Sequence, residues 1–502
     1  MEWRRAIRLG EEAEVEAGMN VRREALGSRG QAEALAARAG RVVPAYGKFL
    51  RSRAFSGIPF NRLPLTDKAN YLLGNGFADL LSDDVHRAFA LFRSSGSSGR
   101  AFYWPQLKDG QAAALAQLRE VLEGVFSIRE KKTLAVVGLA LGSWIGGDQF
   151  SWGLKTLAVG APYPFTVFSP GNNHDEILDI IAKSDRFVDQ ILLFACPSAI
   201  GHLLLRSEQA GRPLPLAKLR YVVLGEPFPE SLRTALAARA GMEDPLRLML
   251  SIYGSADTGI LGLESPASVA LRRLFAGRPR LAASFGLGAA IPHFFHCAAP
   301  DAYLESVQGE LCVTRWQGIP LIRYNLHDAV DLWDWKETRA AVLASSAAES
   351  CDDPCLRAIA AAGDAQPDLL AVAGRSDACL ILCGTNLSEA MLDEAVRCPE
   401  LEPSLTGVYR AGILLEGERQ FLRFDLEFRQ GVSPAGETLE NVYRGLILAL
   451  GRVQPEFRDD WEKVYRIWDA DPEKRILRLN AVPWPGLSRA IEAQAKMRSL
   501  SK

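Results

Sequence analysis

A run of small polar residues at positions 94–99 is the first candidate for chemistry in this chain. Its members are Ser94, Ser95, Gly96, Ser97, Ser98 and Gly99. Glycine lets the backbone take positive φ angles and approach a ligand closely, and successive backbone N–H groups with hydroxyls suit a phosphate. The run stands between apolar residues 89–92 and aromatic residues 102–104. A tight phosphate-binding loop is therefore predicted, with a flexible Gly/Ser linker as the alternative.

The spacing of this run differs from two common nucleotide-binding motifs. The P-loop pattern G-x-x-x-x-G-K-[ST] is absent from the run, and no G-x-G-x-x-G pattern opens a helix there. A phosphotransferase built on a P-loop is therefore excluded by motif.

Strands and helices alternate between residues 109 and 253, which predicts βαβ units and a parallel sheet. The predicted strands cover residues 133–141, 156–160, 190–194, 220–224 and 248–253, and the predicted helices cover residues 109–126, 174–185, 200–208 and 229–240. The predicted helix caps are Thr66 or Asp67 and Asn172 or Asn173. Ligands bind beyond the carboxyl ends of the strands in such sheets, so the loops at 142–148, 225–227 and 253–257 are candidates for the site.

The remaining sequence indicates a second, smaller unit. Residues 309–328 are predicted to form a β ribbon, and an alanine-rich stretch at 338–367 is interpreted as an insertion or linker. Beyond it, strands are predicted at 379–382, 407–415, 420–428 and 475–480, and a helix at 438–450. The predicted domains are therefore a large one at residues 1–374 and a small one at residues 375–502.

Composition excludes several classes of function. The 502 residues carry 58 Lys and Arg against 60 Asp and Glu, a net charge of −2, so no basic excess points to a nucleic acid. The N-terminal residues lack the apolar stretch of a secretory signal, and the longest apolar run is too short for a membrane span. The eight cysteines form no C-x-x-C pair. A cytoplasmic protein with reduced thiols and no membrane association is predicted.

Several motifs occur in an order that resembles one known superfamily. They are SSGSSGR (94–100), LGEPFPESLR (224–233), YGSADTG (253–259), IPLIRYNLHD (319–328) and GRSD (374–377). Together they resemble the adenylate-forming (AMP-forming) ligases, most closely the phenylacetate–CoA ligase branch. Arg100 stands where the family has a lysine, Asp257 where it has a magnesium-binding glutamate, and Ala256 where it has a threonine.

The resemblance implies an α/β fold: a large N-terminal domain with mostly parallel sheets flanked by helices plus a β ribbon, and a small mobile α+β C-terminal domain. It also implies a ligase that uses ATP and Mg²⁺ to convert a carboxylic acid, in this branch an aromatic one, to an acyl-adenylate and pyrophosphate. The acyl group would then pass to a thiol, most naturally coenzyme A. Transfer to an amine or a carrier-protein thiol, and a degenerate nucleotide- or acyl-binding homologue, are the alternatives.

The resemblance assigns roles to individual residues, and their chemistry agrees with those roles. Joining two anions requires positioning and neutralisation of charge. The ATP-binding residues are predicted to be Ser94, Ser95, Gly96, Ser97, Ser98, Gly99, Gly225, Glu226, Tyr253, Gly254, Ser255, Asp328 and Arg375, with Arg100 assisting at the pyrophosphate. Asp257 is expected to bind Mg²⁺, which prefers oxygen ligands. Asp328 is expected to bind the ribose hydroxyls, Tyr253 and the 225–226 pair to line the adenine, and Arg375 to lie at the hinge.

The C-terminal end departs from the family pattern. The family places a catalytic lysine there, but the natural overlay puts Gln494 at this position. Glutamine supplies no charge, and charge-assisted hydrogen bonds are about twice as strong as neutral ones. Lys496 lies two residues further on and is predicted to take the catalytic role. Unchanged adenylation by a Lys496→Ala variant would remove it from the mechanism.

Three further groups of residues have two interpretations each. Residues 144–148, with Phe150, Trp152 and Phe165, either line an acyl pocket or belong to the core. His293, His296 and Cys297 could hold a metal, but the spacing lacks a second ligand pair. Cys351 and Cys355 could share a helix face, although Pro354 argues against a regular helix.

Overall fold

The computed structural model describes residues 21–52, 57–94, 102–346, 353–376 and 379–489. The strands are β1 (Arg22–Arg23), β2 (Ala25–Leu26), β3 (Ala88–Arg93), β4 (Tyr103–Leu107), β5 (Thr133–Val137), β6 (Phe165–Phe168), β7 (Gln190–Ala195), β8 (Leu219–Val223), β9 (Met249–Ser255), β10 (Gly259–Leu263), β11 (His293–Cys297), β12 (Tyr303–Val307), β13 (Glu310–Arg315), β14 (Leu321–Trp333), β15 (Leu369–Arg375), β16 (Cys379–Leu382), β17 (Thr385–Ser388), β18 (Leu405–Glu416), β19 (Arg419–Phe428) and β20 (Leu477–Val482). The α-helices are α1 (Arg29–Val42), α2 (Pro44–Arg51), α3 (Phe77–Leu80), α4 (Lys108–Phe126), α5 (Ile145–Gly160), α6 (His174–Ser184), α7 (Pro197–Gln209), α8 (Glu230–Arg239), α9 (Pro266–Gly277), α10 (Pro279–Ser284), α11 (Trp335–Ser345), α12 (Pro354–Ala361), α13 (Glu389–Val396), α14 (Glu437–Val453) and α15 (Pro455–Asp460).

A large mixed sheet forms the centre of the molecule. Its strand order in the described residues is β2-β12-β13-β14-β15-β11-β10-β9-β8-β7-β5-β6, with β1 paired to β14. The pairs among β9, β8, β7, β5 and β6 are parallel, and the pairs from β9 through β10 to β2 are antiparallel. Every residue of β5 and β7 is buried, as expected for parallel strands covered by helices on both faces. The predicted α/β fold class is confirmed.

The chain after residue 379 forms a smaller sheet with its own core. Strands β18, β19 and β20 make a three-stranded sheet, and β16 pairs with β17. Leu422 and Phe424 of β19 pack with Leu446 and Leu450 of α14 in one apolar cluster. This arrangement is compatible with the predicted small domain, whose boundary at residue 374 stays a prediction.

Two sequence-based assignments change in the structure. The strand predicted at 156–160 is wrong, because these residues end the helix α5. Buried Phe150, Leu154 and Leu157 are spaced three to four residues apart along α5, which is a helical period that outweighs the short apolar run. The described part of the predicted insertion contains α11 and α12, which place Val342 and Ile359 in the core.

The connector before the serine run is attached to the large sheet. Thr66 donates its N–H to the Arg323 carbonyl and accepts from the Asn325 N–H on β14. Asp67 then caps a short helix at Lys68–Leu72 through a reciprocal capping box with Asn70, so the predicted cap is confirmed. The cap at Asp67 and the attachment of Thr66 to the sheet together fix the position of Lys68 at the beginning of this helix.

Two findings bear on the predictions from composition. Among the described residues, no helix is both long enough and apolar enough to cross a bilayer. The seven cysteines within the described ranges are free thiols, in agreement with the prediction of reduced cysteines.

A buried ion-pair network holds β9 in place at the edge of the parallel strands. Arg233 of α8 is fully buried and bonds Glu264 at 3.0 Å and Glu230 at 3.1 Å. It also donates to the Met249 carbonyl, and Glu264 accepts the Ser251 N–H at 2.7 Å. The network therefore attaches the beginning of β9 to α8, and β9 ends at the residues of the YGSADTG motif.

Removal of the arginine from this network should destabilise the fold strongly. Arg233→Met is expected to lower the free energy of unfolding by about 3–5 kcal/mol, because the buried Glu264 carboxylate loses its paired cation, whereas Glu230 keeps its pairs with Arg272 and Arg273. Urea unfolding followed by circular dichroism measures the change. Arg239→Met is the matched control on α8, since its pairs with Glu208 and Glu418 are partly exposed and should contribute about 1 kcal/mol or less. Equal effects of the two variants would contradict the role of the network.

Candidate active site

A cavity of about 780 Å³ opens at the carboxyl ends of the parallel strands. The predicted site residues that line it are Ser94, Gly225, Glu226, Tyr253, Gly254, Ser255, Asp257, Asp328 and Arg375. These residues span most of the chain, and they meet because the loops after parallel strands share one edge of the sheet. Ser95, Gly96, Ser97, Ser98, Gly99, Arg100 and Lys496 lie outside the described residues, as do Gln494 and Asp377.

Asp328 is held between a phenol and a guanidinium. Tyr253 donates its hydroxyl to Asp328 Oδ2 at 2.6 Å, and Arg375 Nη1 lies 3.6 Å from Asp328 Oδ1. Arg375 is the partner of Asp328 across the β14–β15 ladder. Burial, followed by the nearby Asp328 carboxylate, raises the pKa of the Tyr253 phenol well above its usual range. The phenol therefore remains a hydrogen-bond donor at neutral pH.

Asp257 has one oriented oxygen and one oxygen facing a lysine. Tyr324 donates its hydroxyl to Asp257 Oδ2 at 2.6 Å, and Gln317 Nε2 donates to the Asp257 carbonyl at 2.7 Å. The other carboxylate oxygen, Oδ1, lies 4.0 Å from Lys68 Nζ. These contacts orient the carboxylate so that Oδ1 can accept a ligand at the cavity wall.

Lys68 connects this carboxylate to the beginning of the serine run. Its ammonium donates to Ser94 Oγ at 3.3 Å, and its side chain is 18% exposed. Ser94 Oγ also accepts the Phe102 N–H. The cavity thus contains a half-buried cation between the predicted phosphate loop and the predicted magnesium ligand.

The carboxyl group of Glu226 binds two backbone N–H groups. Oε1 accepts from Ser198 N–H at 2.5 Å, and Oε2 accepts from Gly384 N–H at 3.0 Å. Burial raises its pKa to about 7, and the hydrogen bonds from Ser198 and Gly384 oppose that shift. Glu226 therefore attaches the beginning of α7 to the β16–β17 turn, and its predicted contact with adenine stays a prediction.

Most of the predicted acyl-pocket residues lie at the cavity. Trp144, Ile145, Gly146, Gly147 and Phe150 line it. A Cβ on Gly147 would come within 2.0 Å of the Ala140 carbonyl oxygen, so only glycine allows α5 to begin this close to the end of β5. By contrast, Trp152 is 42% exposed and its ring lies tilted against Phe89, and Phe165 belongs to the apolar core.

Comparison with known proteins identifies the fold. No family model matches the chain, and no curated protein matches it. A solved structure of 2-hydroxyisobutyryl-CoA ligase, with 2-HIB-AMP and CoA in the thioesterification state, is similar over 94% of this chain and 93% of that chain. The TM-score is 0.56 and the sequence identity is 15%.

The chain has the fold of the adenylate-forming ligases. A second structure of the same ligase, in the postadenylation state with R3-HIB-AMP, has a TM-score of 0.49 at 14% identity, with 90% of this chain and 85% of that chain covered. An acyl acid amido synthetase in complex with 2,4-DB has a TM-score of 0.43 at 13% identity, with 98% and 91% covered. The fold predicted from the order of the motifs is confirmed by the first of these structures, with its TM-score of 0.56.

Lys68 lines the cavity but is not among the site residues predicted from the sequence. Its neighbours Thr66 and Asp67 were predicted to cap a helix, but a lysine in the first turn of a helix carries no distinctive signal. Its contacts are with Ser94, 26 residues away, and Asp257. Only the tertiary structure brings these three residues together.

The histidines considered for a metal site have other partners in this ligase fold. His293 Nε2 lies 2.9 Å from the Phe228 carbonyl and Nδ1 lies 3.3 Å from Arg272. His296 Nδ1 lies 2.7 Å from the Pro367 carbonyl and Nε2 lies 3.1 Å from Ser265 Oγ. No group of three or more metal-ligating side chains is found in the described part of the chain. These two rings are therefore accounted for by structural contacts.

The buried carboxyl group of Asp460 should make the stability of the fold depend on pH. It accepts from Thr385 Oγ1 at 2.9 Å and from Asn172 Nδ2 at 3.2 Å, and burial raises its pKa to about 7. An unfolded aspartate titrates near pH 4, so the folded state binds the extra proton between the two values. The free energy of unfolding should therefore fall as the pH rises from about 4 to 8.

In an Asp460→Asn variant, the free energy of unfolding should fall less with rising pH than in wild type, by on the order of 2–3 kcal/mol. The amide can still accept from Asn172, and its NH₂ can donate to the Thr385 hydroxyl, so the packing remains. Urea unfolding at pH 5 and pH 8 measures the difference, with Glu462→Gln on the exposed surface as the control. A decline as steep as that of wild type would show that Asp460 does not titrate in this range.

Proposed function

We propose that this chain is an AMP-forming ligase that activates a carboxylic acid with ATP and transfers the acyl group to a thiol, most naturally coenzyme A. One observation carries the proposal. A single cavity in an adenylate-forming ligase fold brings together Ser94, Asp257, Asp328 and Lys68, which between them can bind phosphate, metal and ribose. The role of each residue is part of the proposal.

The chain's own groups suit the first step, in which the acid's carboxylate attacks the α-phosphorus and pyrophosphate leaves. The Lys68 ammonium lies beside Ser94, where it offsets phosphate charge. Arg100 and the backbone of residues 95–99 would add donors at the leaving group. Lys496 remains the predicted cation at the α-phosphate. Oriented charges of this kind stabilise the transition state because they need no reorganisation during the reaction.

Asp257 and the residues that orient its carboxylate are suited to hold a magnesium ion. Mg²⁺ commonly binds through one or two carboxylates together with substrate phosphates and water. Asp257 offers Oδ1, which lies 4.0 Å from Lys68 Nζ, on a residue that Tyr324 and Gln317 hold in orientation. When bound, the ion would neutralise phosphate charge and orient the leaving group. Asp328, held by Tyr253 and Arg375, would accept the ribose hydroxyls.

The acid and the acceptor are assigned by similarity and by the lining of the cavity. The 2-hydroxyisobutyryl-CoA ligase binds an acyl-AMP and CoA, which supports the same classes of ligand here. The motif order favours the phenylacetate–CoA ligase branch and hence an aromatic acid, and Trp144, Ile145 and Phe150 would contact it. A cytoplasmic location, as predicted from composition, provides both ATP and coenzyme A.

Pyrophosphate release with ATP, Mg²⁺ and hydroxylamine tests the proposal across a panel of aryl, arylacetic and fatty acids. Hydroxylamine traps the acyl-adenylate, so the natural acceptor need not be known. We expect release with one class of acid, and an acyl-CoA product when coenzyme A replaces hydroxylamine. An ATP-induced rise in the melting temperature without any turnover would instead support a degenerate nucleotide-binding homologue. Release of ADP in place of AMP would contradict adenylation.

A further inference from the structure

The two ends of the proposed nucleotide site stand on segments far apart in the chain. Lys68 lies beside Ser94 at the predicted phosphate loop, and Asp328 is the predicted ribose ligand. Asp67 directly precedes Lys68, and His327 directly precedes Asp328. A nucleotide reaches both ends at once, so a contact that fixes their spacing would help to place the phosphate for reaction.

The imidazole of His327 lies between two carboxylates. Its Nε2 is 3.6 Å from Asp67 Oδ2, and its Nδ1 is 3.4 Å from Glu310 Oε2. An ionised carboxylate only accepts hydrogen bonds, so an imidazolium, which donates from both nitrogens, complements both partners at once. The ring thereby connects the segment that carries Lys68 with the beginning of β13.

Both carboxylates are oriented by further contacts. Asp67 Oδ1 accepts the Asn70 N–H at 2.6 Å within the capping box. Glu310 accepts from Asn325 Nδ2 at 2.6 Å and from Ser376 Oγ at 2.5 Å. The ring of His327 therefore faces two fixed partners, one at the start of the Lys68 helix and the other beside β14 and the residue that follows β15.

The pKa values of Asp67 and Glu310 both lie below their usual range. Burial acts to raise each pKa, but hydrogen bonds outweigh it, from His327 and the Asn70 N–H at Asp67, and from Ser376 and Asn325 at Glu310. The two groups are therefore ionised at neutral pH and present negative charge to the ring.

The backbone of His327 is in the left-handed region, with φ 57°. Its N–H donates to Asn325 Oδ1 at 2.8 Å, and its carbonyl accepts the Ser376 N–H at 2.8 Å. This region favours glycine, with asparagine and aspartate next. A large side chain here costs free energy, and such strain at a site points to a functional constraint on the ring.

We propose that His327 is a positioning residue for adenylation, whose ring bridges Asp67 and Glu310 and so holds Lys68 at a fixed distance from Asp328. It acts through Lys68 and exchanges no proton with the substrate. The inference rests on the proposed function and adds to it a residue to which the motif order assigns no role.

His327→Gly removes the ring and keeps the left-handed backbone, so it isolates the contribution of the imidazole. We expect kcat for pyrophosphate release with hydroxylamine to fall about tenfold, because the Lys68 ammonium is less well placed at the phosphate. The KM for ATP should change less than about threefold, since Asp328 keeps its contacts with Tyr253 and Arg375. His327→Asn, which also tolerates this backbone and can donate to one carboxylate, should give an intermediate kcat.

A double-variant cycle with Lys68 distinguishes positioning from a general loss of structure. If the ring acts through the lysine, His327→Gly should cost less than about twofold in kcat in a Lys68→Met background. Ser127→Gly is the matched control, because Ser127 also has a left-handed backbone, with φ 53°, and follows the end of α4. This control should match wild type in kcat.

The inference is overturned if wild type adenylates an acid and His327→Gly keeps the wild-type kcat, or if the effect is as large in the Lys68→Met background as in wild type. Either result leaves the proposed function intact. The same criteria apply to His327→Asn if the glycine variant does not fold. A wild-type protein that releases no pyrophosphate with any acid of the panel overturns the proposed function, and the inference with it.

Discussion

Replacement of Lys68 with methionine is expected to lower kcat/KM for ATP in the adenylation half-reaction by about 100-fold or more. The Lys68 ammonium lies 3.3 Å from Ser94 Oγ and 4.0 Å from Asp257 Oδ1, between the predicted phosphate loop and the predicted magnesium ligand. Methionine approximates the apolar stem of lysine and removes the ammonium group, with its charge and its hydrogen bond to Ser94 Oγ. The loss should therefore reflect weaker neutralisation of phosphate charge and not a change in packing.

The assay for this variant is pyrophosphate release with hydroxylamine at varied ATP concentration. Lys68→Arg should retain part of the activity, because it restores the charge with a different geometry. Lys183→Met is the control, since Lys183 lies on α6 and pairs with exposed Asp179, and it should match wild type. Wild-type kcat/KM for ATP in Lys68→Met would show that Lys68 only supports the fold.

Asp257→Asn should lower kcat for adenylation by about 100- to 1000-fold at fixed Mg²⁺. The amide oxygen can still accept the Tyr324 hydroxyl, and the backbone carbonyl of residue 257 still accepts from Gln317. The orientation of the side chain is thus preserved while the charge that would hold the ion is lost. The apparent affinity for Mg²⁺, measured by titration of the half-reaction, should fall in parallel.

Two further variants distinguish an effect on metal binding from an effect on the fold in this experiment. Tyr324→Phe removes the hydroxyl that orients Asp257 and should reduce kcat by a smaller factor, on the order of tenfold. Asp331→Asn, at a partly exposed position paired with Arg22, should leave both kcat and the Mg²⁺ titration unchanged. If Asp257→Asn loses activity but keeps the wild-type Mg²⁺ dependence, Asp257 is not the metal ligand.

The local sequence pattern was sufficient to predict much of the fold. Alternating strands and helices at 133–253 predicted the parallel strands, and the elements at 174–185, 190–194 and 229–240 agree closely with α6, β7 and α8. The cap by Asn173 is also confirmed. These features depend on neighbouring residues, since capping, β-branched content and helical period act over a few positions. The antiparallel extension of the sheet towards β2 joins segments far apart in sequence, so local pattern could not predict it.

The wrong strand at 156–160 shows where local pattern fails. A short apolar run is compatible with a strand or with the end of a helix. The helical spacing of buried Phe150, Leu154 and Leu157 decides between them. Most of that spacing lies before residue 156, so residues 156–160 taken alone do not report it.

By itself, the sequence determined the order of the motifs and predicted the fold and the residues for ATP binding, since these predictions are carried by short motifs and local periodicity. Only the tertiary structure decided which of these residues meet. It brought Lys68 to Ser94 and Asp257, joined Tyr253 and Arg375 to Asp328, and turned the Glu226 carboxyl group towards Ser198 and Gly384. The physical reason is that hydrogen bonds and charges act over a few ångströms of space, and distance along the chain does not report distance in the fold.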